Sequence, residues 1–353
     1  MDTRESTSAI RTQVGRKENM TDVIDLGIPG FRFSASYASR YNNCHASANL
    51  TEAIPGFEHP AKNDLGRKGQ GTNLHEIFQE VISAAIKAED TVDSLRASAD
   101  LLHVFADVYG KNRTALIKDE KAYIMWWFSS RKKLPPMEWK ILRNFLRMVP
   151  VLKPVEGGPT ETEESTAPRL IHFMADSLSY VADIVMHLDG YESGKVNIIV
   201  EAKKTVTWLR TQPKTTVDLI IDNGTSLHVL DLKMGDIEVS PIENQQLMYY
   251  AETWRTFEHD TVVLHIMQRG YTDYWSVGLE QLDAWRNGMQ ASEDAILAGD
   301  MTFSPGSHCT FCPANPVGRG DKGNVFCQKM MAIAWGPRDA EQSDRDVLGD
   351  DDD

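Results

Sequence analysis

The sequence predicts an α/β fold: a mixed β-sheet core flanked by helices. Three observations predict it. Leu74, Ile77, Phe78, Val81, Ile82 and Ala85 recur at i, i+3, i+4 spacing, the mark of a helix with one apolar face. Four segments between 196 and 233 are rich in β-branched residues and separated by turn signals: VNIIVEAKK, TVTWL, TTVDLIID and SLHVLDLK. Along the chain the order is helix, strands, helix, strands, helix, which brings helices onto a sheet.

Composition bounds the function. The chain has 353 residues, 41% hydrophobic and 25% charged, ample for a core without disulfide staples. No run reaches the ~18–20 apolar residues of a membrane span, and the polar start lacks a signal-peptide apolar region. These features speak against a membrane protein and a secreted disulfide scaffold, and for a cytoplasmic one. The net charge is −14. About half of it falls between Asp339 and Asp353, where only Arg345 is basic. That acidic tail, 336–353, reads as disordered. An acidic balance does not exclude a nucleic-acid enzyme, because metal ions and a local basic groove can supply positive field. No G-x-x-x-x-G-K-[ST] segment occurs, so ATP-driven translocation would have to come from a partner.

The elements follow in order. Residues 1–28 read as a flexible leader. Ser34 and Ser36 precede a short helical pattern ending near Cys44. Residues 51–70 read as loop. A helix is expected just after Gly71, with Asn73 as N-cap and Glu76 as its capping-box partner. Helical segments rich in Leu, Trp and Phe, including the Trp126-Trp127 pair, continue to about 150. Residues 151–168, with Pro, Gly, Thr and Glu, read as a loop or insertion tip. The strand segments come next. The helix ENQQLMYYAETWRTF follows, with Leu247, Tyr250, Ala251 and Trp254 on one face. Strands TVVLHIMQR and DYWSVGL and a helix near 280–298 complete the core.

The hairpin carries the chemistry. Asn223-Gly224 is a strong two-residue turn signal. With Asp222 paired to Thr225, Asp218 lies opposite Val229. Side chains alternate along a strand, so Asp218, Asp231 and Lys233 project from one face. In that register the two carboxylates are diagonal neighbours, roughly 7–8 Å apart. The other face, with Leu219, Ile221, Leu230 and Leu232, belongs to a core. Oxygen ligation by two carboxylates suits Mg²⁺ or Mn²⁺. Such an ion polarises a phosphoryl oxygen and acidifies its bound water, and a nearby lysine orients that water or stabilises developing charge. Glu201, on the preceding strand, is a further carboxylate able to assist a metal. The four cysteines are Cys44, Cys309, Cys312 and Cys327. The two-residue spacer of Cys309 and Cys312 lets neighbouring thiolates share a metal or cluster.

These residues resemble the signature of the PD-(D/E)XK nucleases: an Asp on one strand, then Asp231-Leu-Lys233 on the next. The flanking motifs are similar to those of the RecB-like branch. It has a His early on a helix, here His75 in GTNLHE, and a Gln-x-x-x-Tyr on the helix after the Lys strand, here Gln246 and Tyr250. The chain also resembles AddB-type subunits, CRISPR-adaptation nucleases and phage-encoded RecB-like proteins, over roughly 33–75 and 196–330.

The resemblance implies a restriction-endonuclease-like core spanning 29–335. Within it would lie a helical insertion at about 90–170, the nuclease sheet at about 195–280 and a cysteine-clasped segment at 300–330. It implies a metal-dependent DNA exonuclease for recombination, repair or replication. Asp218, Asp231, Lys233, Gln246 and Tyr250 would be catalytic, and His75, Asp218 and Asp231 would hold Mg²⁺ or Mn²⁺. Cys44, Cys309, Cys312 and Cys327 would hold a [4Fe–4S] cluster. Fourteen residues separate Cys312 from Cys327, longer than the family spacer. That leaves a structural Zn²⁺ open, with His308 or His45 nearby. DNA is the implied partner, single-stranded or as duplex ends. A helicase or recombination partner and a homo-oligomer also fit the resemblance. The alternative from another class is a catalytically silent or partner-dependent DNA-binding subunit.

Overall fold

The computed structural model describes residues 33–52, 67–118, 163–235, 237–306, 308–309, 312 and 327. The expected leader, the Trp126-Trp127 segment, the spacer between Cys312 and Cys327 and the acidic tail lie outside the described residues. The chain divides into two compact units. The first holds residues 60–204 and 216–279, and the second holds 19–59, 205–215 and 280–353.

The first unit is built on a five-stranded mixed sheet in the order β1-β2-β3-β4-β5. The strands are β1 (Asn197–Thr205), β2 (Lys214–Asp222), β3 (Ser226–Lys233), β4 (Thr261–Gln268) and β5 (Tyr271–Val277). β2 and β3 pair antiparallel, β3 and β4 parallel, β4 and β5 antiparallel. Both faces are covered, which is why β2 to β4 are nearly continuous apolar runs. One face, carrying Leu219, Ile221, Leu230, Leu232 and Met267, packs in one core with three helices: α3 (Arg67–Ala85), α4 (Thr91–Lys118) and α5 (Glu163–His187). α6 (Gln245–Trp254) lies against β3 and β4. It is the crossover that a parallel β3–β4 pair requires.

The apolar face expected from Leu74 to Ala85 is buried from Ile77 onward, with every member at 3% exposure or less. α3 nevertheless starts at Arg67, so Asn73 is an interior residue and not the N-cap. Once a turn is nucleated, each added residue gains a hydrogen bond at small cost, and Gly69 and Gly71 are tolerated. α5 is an element for which no expectation was formed, and its first turns occupy part of the expected 151–168 loop. α4 and α5 run antiparallel. Val92 N–H meets the Tyr191 hydroxyl, Arg96 meets Asp183, and His103 meets His172.

In the second unit the short helices Ala35–Tyr37, α1 (Ala38–Asn43) and α2 (Ala46–Glu52) lead past Cys44, and α7 (Leu279–Leu297) leads to the other cysteines. TVTWL is not a strand of its own: Thr205 ends β1 and the rest leaves the sheet. It is the turn-rich connection from β1 to β2, and its apolar side chains serve packing. Val206 and Leu209 are buried, and Trp208 stacks edge-on against Trp285 of α7 at 5.9 Å. Glu293 of α7, itself 1% exposed, accepts hydrogen bonds from the Arg210 and Thr211 backbone N–H groups and the Thr211 hydroxyl. Among the described residues, no helix is long and apolar enough to cross a membrane.

Candidate active site

The hairpin register differs from the expected one by two residues. The pairs are Leu219↔Leu230, Ile220↔Val229 and Asp222↔Leu227, so Asn223 to Ser226 form the connection. The reason is side-chain capping. Asn223 Oδ1 accepts from Thr225 N and Ser226 N, Asp222 Oδ1 accepts from Gly224 N, and Gly224 takes φ +92°, which glycine adopts freely. A shift of two keeps every side chain on its expected face. It also carries Asp218 from a diagonal position to the step directly opposite Asp231. The regular pairing stops one step short, and the Asp218 carboxylate itself accepts the Leu232 N–H at 2.8 Å.

The sequence-predicted residues of this unit converge. Asp231 is 4% exposed. Lys233 Nζ stands 2.9 Å from Asp231 Oδ2 and donates to Gln246 Oε1 at 2.8 Å. Gln246 Nε2 donates in turn to the Tyr250 hydroxyl at 2.8 Å. The i, i+4 spacing on α6 makes that last contact. Asn244 caps α6 by accepting from Gln246 N and Leu247 N, which fixes Gln246 at the helix start. From α3, His75 Nδ1 comes to 3.2 Å from Asp218 Oδ1.

Glu201 completes the group. Ligand atoms of His75, Glu201 and Asp218 all lie within 4.8 Å of one another. Glu201 has φ +48° within β1, a conformation rare for a side chain-bearing residue. The kink interrupts strand alternation, and the next residues but one, Lys203 and Lys204, are both exposed. Irregularities of this kind re-aim side chains beside functional sites. Nothing in the sequence announces the kink. Gln268, unlike Glu201, is a residue that sequence reasoning missed. It pairs with Lys233 across β3–β4 and is buried. Its amide donates to Gly235 O and Ile237 O and accepts from Val239 N, holding the loop between β3 and α6.

Electrostatics tie the group together. Burial, joined by the charge of Asp218, raises the Asp231 carboxyl against the opposing pull of Lys233. Burial also raises Glu201, again with Asp218. Burial alone would lower His75. The hydrogen bond from Asp218 and the charges of Asp218, Asp231 and Glu201 outweigh it and raise His75. Tyr250 is pushed up by burial, so it stays a neutral phenol. Asp231 Oδ2 is buried and has no aligned hydrogen bond. The Lys233 ammonium, 2.9 Å away, is the cation that meets it. The carboxylates of Glu201, Asp218 and Asp231 with the His75 imidazole are a donor set whose chemistry fits Mg²⁺ or Mn²⁺.

The four cysteines meet in the second unit. None of them is in a disulfide, and each is 9% exposed or less. Cys44, Cys312 and Cys327 pack with Ala46 and Phe303 in one cluster. Burial raises Cys327 to about 12, with further contributions from Cys312, Cys309 and Cys44. Burial also raises Cys44, with Cys309 adding to it and Arg40 opposing it. Arg40 is itself buried, stacked 4.3 Å over the Tyr37 ring, and its Nε has no hydrogen-bond partner. A buried cation whose charge reaches the Cys44 thiol suits an anionic occupant of the pocket. Both ring nitrogens of His45 are engaged, Nδ1 with Asp300 and Nε2 with Ser292, which leaves neither for a metal.

A family model described as a protein of unknown function, DUF2800, matches residues 32–330. The chain belongs to the DUF2800 family. The DUF2800 match spans His75, Glu201, Asp218, Asp231, Lys233, Gln246, Tyr250 and all four cysteines. Comparison with curated proteins finds no match.

Proposed function

We propose that this chain is a metal-dependent DNA exonuclease, hydrolysing phosphodiester bonds at DNA ends or in single strands. The observation that supports this reading most is the convergence of Asp218, Asp231 and Lys233 on one sheet face, with His75 and Glu201 beside them. His75, Asp218 and Asp231, assisted by Glu201, would hold Mg²⁺ or Mn²⁺. That ion supplies Lewis acidity at the phosphate and a water of lowered pKa.

The chain's own residues do the rest. Lys233 is locked between Asp231 and Gln246, so its ammonium needs no reorganisation to meet charge building on the phosphate. The donor chain Lys233 to Gln246 to Tyr250 leaves the Tyr250 O–H proton free to point at an acceptor. Tyr250 thereby orients a phosphate oxygen or the attacking water. The Asp218 carboxylate is pinned by the Leu232 N–H, which restricts its swing.

The cysteine pocket is assigned to a [4Fe–4S] cluster held by Cys44, Cys309, Cys312 and Cys327. Four buried cysteines gathered without a disulfide and the Arg40 guanidinium near Cys44 support this, and the role is structural: it joins segments far apart in sequence. Cysteines outside disulfides suit a reducing compartment, the bacterial or phage-infected host cytoplasm. The test is digestion of end-labelled linear DNA, single- and double-stranded, with closed-circular DNA beside it. The expected result is metal-dependent loss of linear DNA, sparing of circles and arrest by chelator. Equal digestion with chelator present would remove the metal-dependent reading, and nicking of circles would remove the exonuclease one.

A further inference from the structure

Two histidines and two aspartates meet on the α4–α5 pair. His103 and Asp107 lie one turn apart on α4, and His172 and Asp176 lie one turn apart on α5. Because the helices are antiparallel, the two His-x-x-x-Asp pairs face each other with near two-fold symmetry. His103 Nδ1 is 3.0 Å from His172 Nδ1. The outer nitrogens face carboxylates: His103 Nε2 is 3.4 Å from Asp176 Oδ1, and His172 Nε2 is 3.5 Å from Asp107 Oδ1. The histidine side chains are 38% and 39% exposed, so ions reach them.

Proton counting makes this arrangement unusual. A neutral imidazole carries one N–H. Each Nε2 faces a carboxylate, at 3.4 and 3.5 Å. With the outer nitrogens carrying the hydrogens, both Nδ1 atoms turn lone pairs toward one point, which a shared cation satisfies. A metal ion is such a cation. A ring whose outer N–H is held by a carboxylate while its other nitrogen binds metal is the usual way a protein orients a ligating histidine.

We propose that His103 and His172 bind a divalent transition-metal ion of the Zn²⁺ or Co²⁺ class through their Nδ1 atoms, stapling α4 to α5. Asp176 and Asp107 hold the outer N–H groups, and water completes the coordination. Tetrahedral bonds of about 2.0–2.1 Å separate two nitrogens by about 3.3 Å, so the rings need part by only a few tenths of an ångström. Imidazole ligation selects Zn²⁺, Co²⁺, Ni²⁺ or Cu²⁺ over Mg²⁺, which sets this site apart from the carboxylate group. The staple tightens the helical layer behind the sheet and stands independently of the nuclease reading.

The full-length chain with its thiol cofactor loaded is titrated with Co²⁺ in excess Mg²⁺. Wild type is expected to bind one equivalent more than His103→Gln or His172→Gln. That equivalent shows the visible bands of imidazole-bound Co²⁺ without thiolate charge transfer. Zn²⁺ raises the melting midpoint of wild type and leaves both variants unmoved. Asp107→Asn and Asp176→Asn keep the equivalent but weaken it about 10–100-fold. Equal Co²⁺ stoichiometry in wild type and folded histidine variants, or a Zn²⁺ shift that survives both substitutions, would overturn the proposal.

Discussion

Lys233 and Glu201 show how single residues here combine position with chemistry. Lys233 stands between a buried carboxylate and an amide oxygen, so truncation removes a charge and leaves Asp231 buried beside Asp218. Glu201 separates backbone from side chain. Its left-handed φ is strained by about 1–2 kcal/mol, and glycine adopts it freely. Glu201→Gly is therefore expected to leave stability within about 1 kcal/mol of wild type while weakening Mn²⁺ binding. Calorimetric titration and denaturant unfolding read the two effects separately. A second residue-scale prediction concerns acid. His228 and His265 touch at 2.9 Å, and Tyr180 meets His265 at 2.9 Å. Burial lowers His228 to about 4, and burial with the charge of His228 lowers His265 to about 3. Both folded values lie below the unfolded one of about 6.5, so the unfolded chain takes up protons first as pH falls. Their neutral-state contribution is whole above pH ~6.5 and declines towards pH ~4, by on the order of 2–3 kcal/mol each. His228→Gln should flatten that part of the stability–pH curve. An unchanged slope would show that His228 does not titrate as the burial argument requires.

At the scale of elements, α6 carries Gln246 and Tyr250 to the site, and its Asn244 cap sets where the helix starts. Asn244→Ala is expected to cost about 1 kcal/mol of stability and to lower activity further by loosening Gln246. Thermal unfolding beside turnover would check both. Glu293 is the other element-level anchor. Glu293→Ala strands two backbone N–H groups of the β1–β2 connection and should cost roughly 2–3 kcal/mol. Much at this scale was legible from periodicity: the α3 face, the hairpin, α6 and the β4–β5 pair. The register was not, because Asn-Gly states a preference for a two-residue turn while the Asn223 and Asp222 side chains cap a wider one. The face assignment survived because the slip was even-numbered. TVTWL reads as a strand because Thr205, Val206 and Thr207 carry the same β-branched signal in a connection as in a sheet. α5 carries a clear apolar period from Leu170 to Val185, so it is legible in the sequence as a helix. The Glu201 kink had no local signal at all, since it depends on what lies around β1.

At the scale of the whole molecule, a sheet with helices on both faces presents its carboxylates where β2, β3 and the start of α6 meet, and the second unit gathers four thiols from opposite parts of the chain. Protein purified without oxygen is expected to be brown and to carry about four irons per chain. Cys327→Ala should lose the colour and most of the iron. A colourless protein holding stoichiometric zinc would replace the cluster with a zinc site. Cleavage decides the rest. End-labelled linear DNA is incubated in Mg²⁺ or Mn²⁺ with cluster-replete wild type and with folded Lys233→Ala. Wild type should degrade it, and the variant should be slower by at least roughly 10²–10³-fold. Digestion that persists undiminished in Lys233→Ala, or wild type that leaves every DNA intact, would contradict the assignment of this sheet face as a nuclease centre.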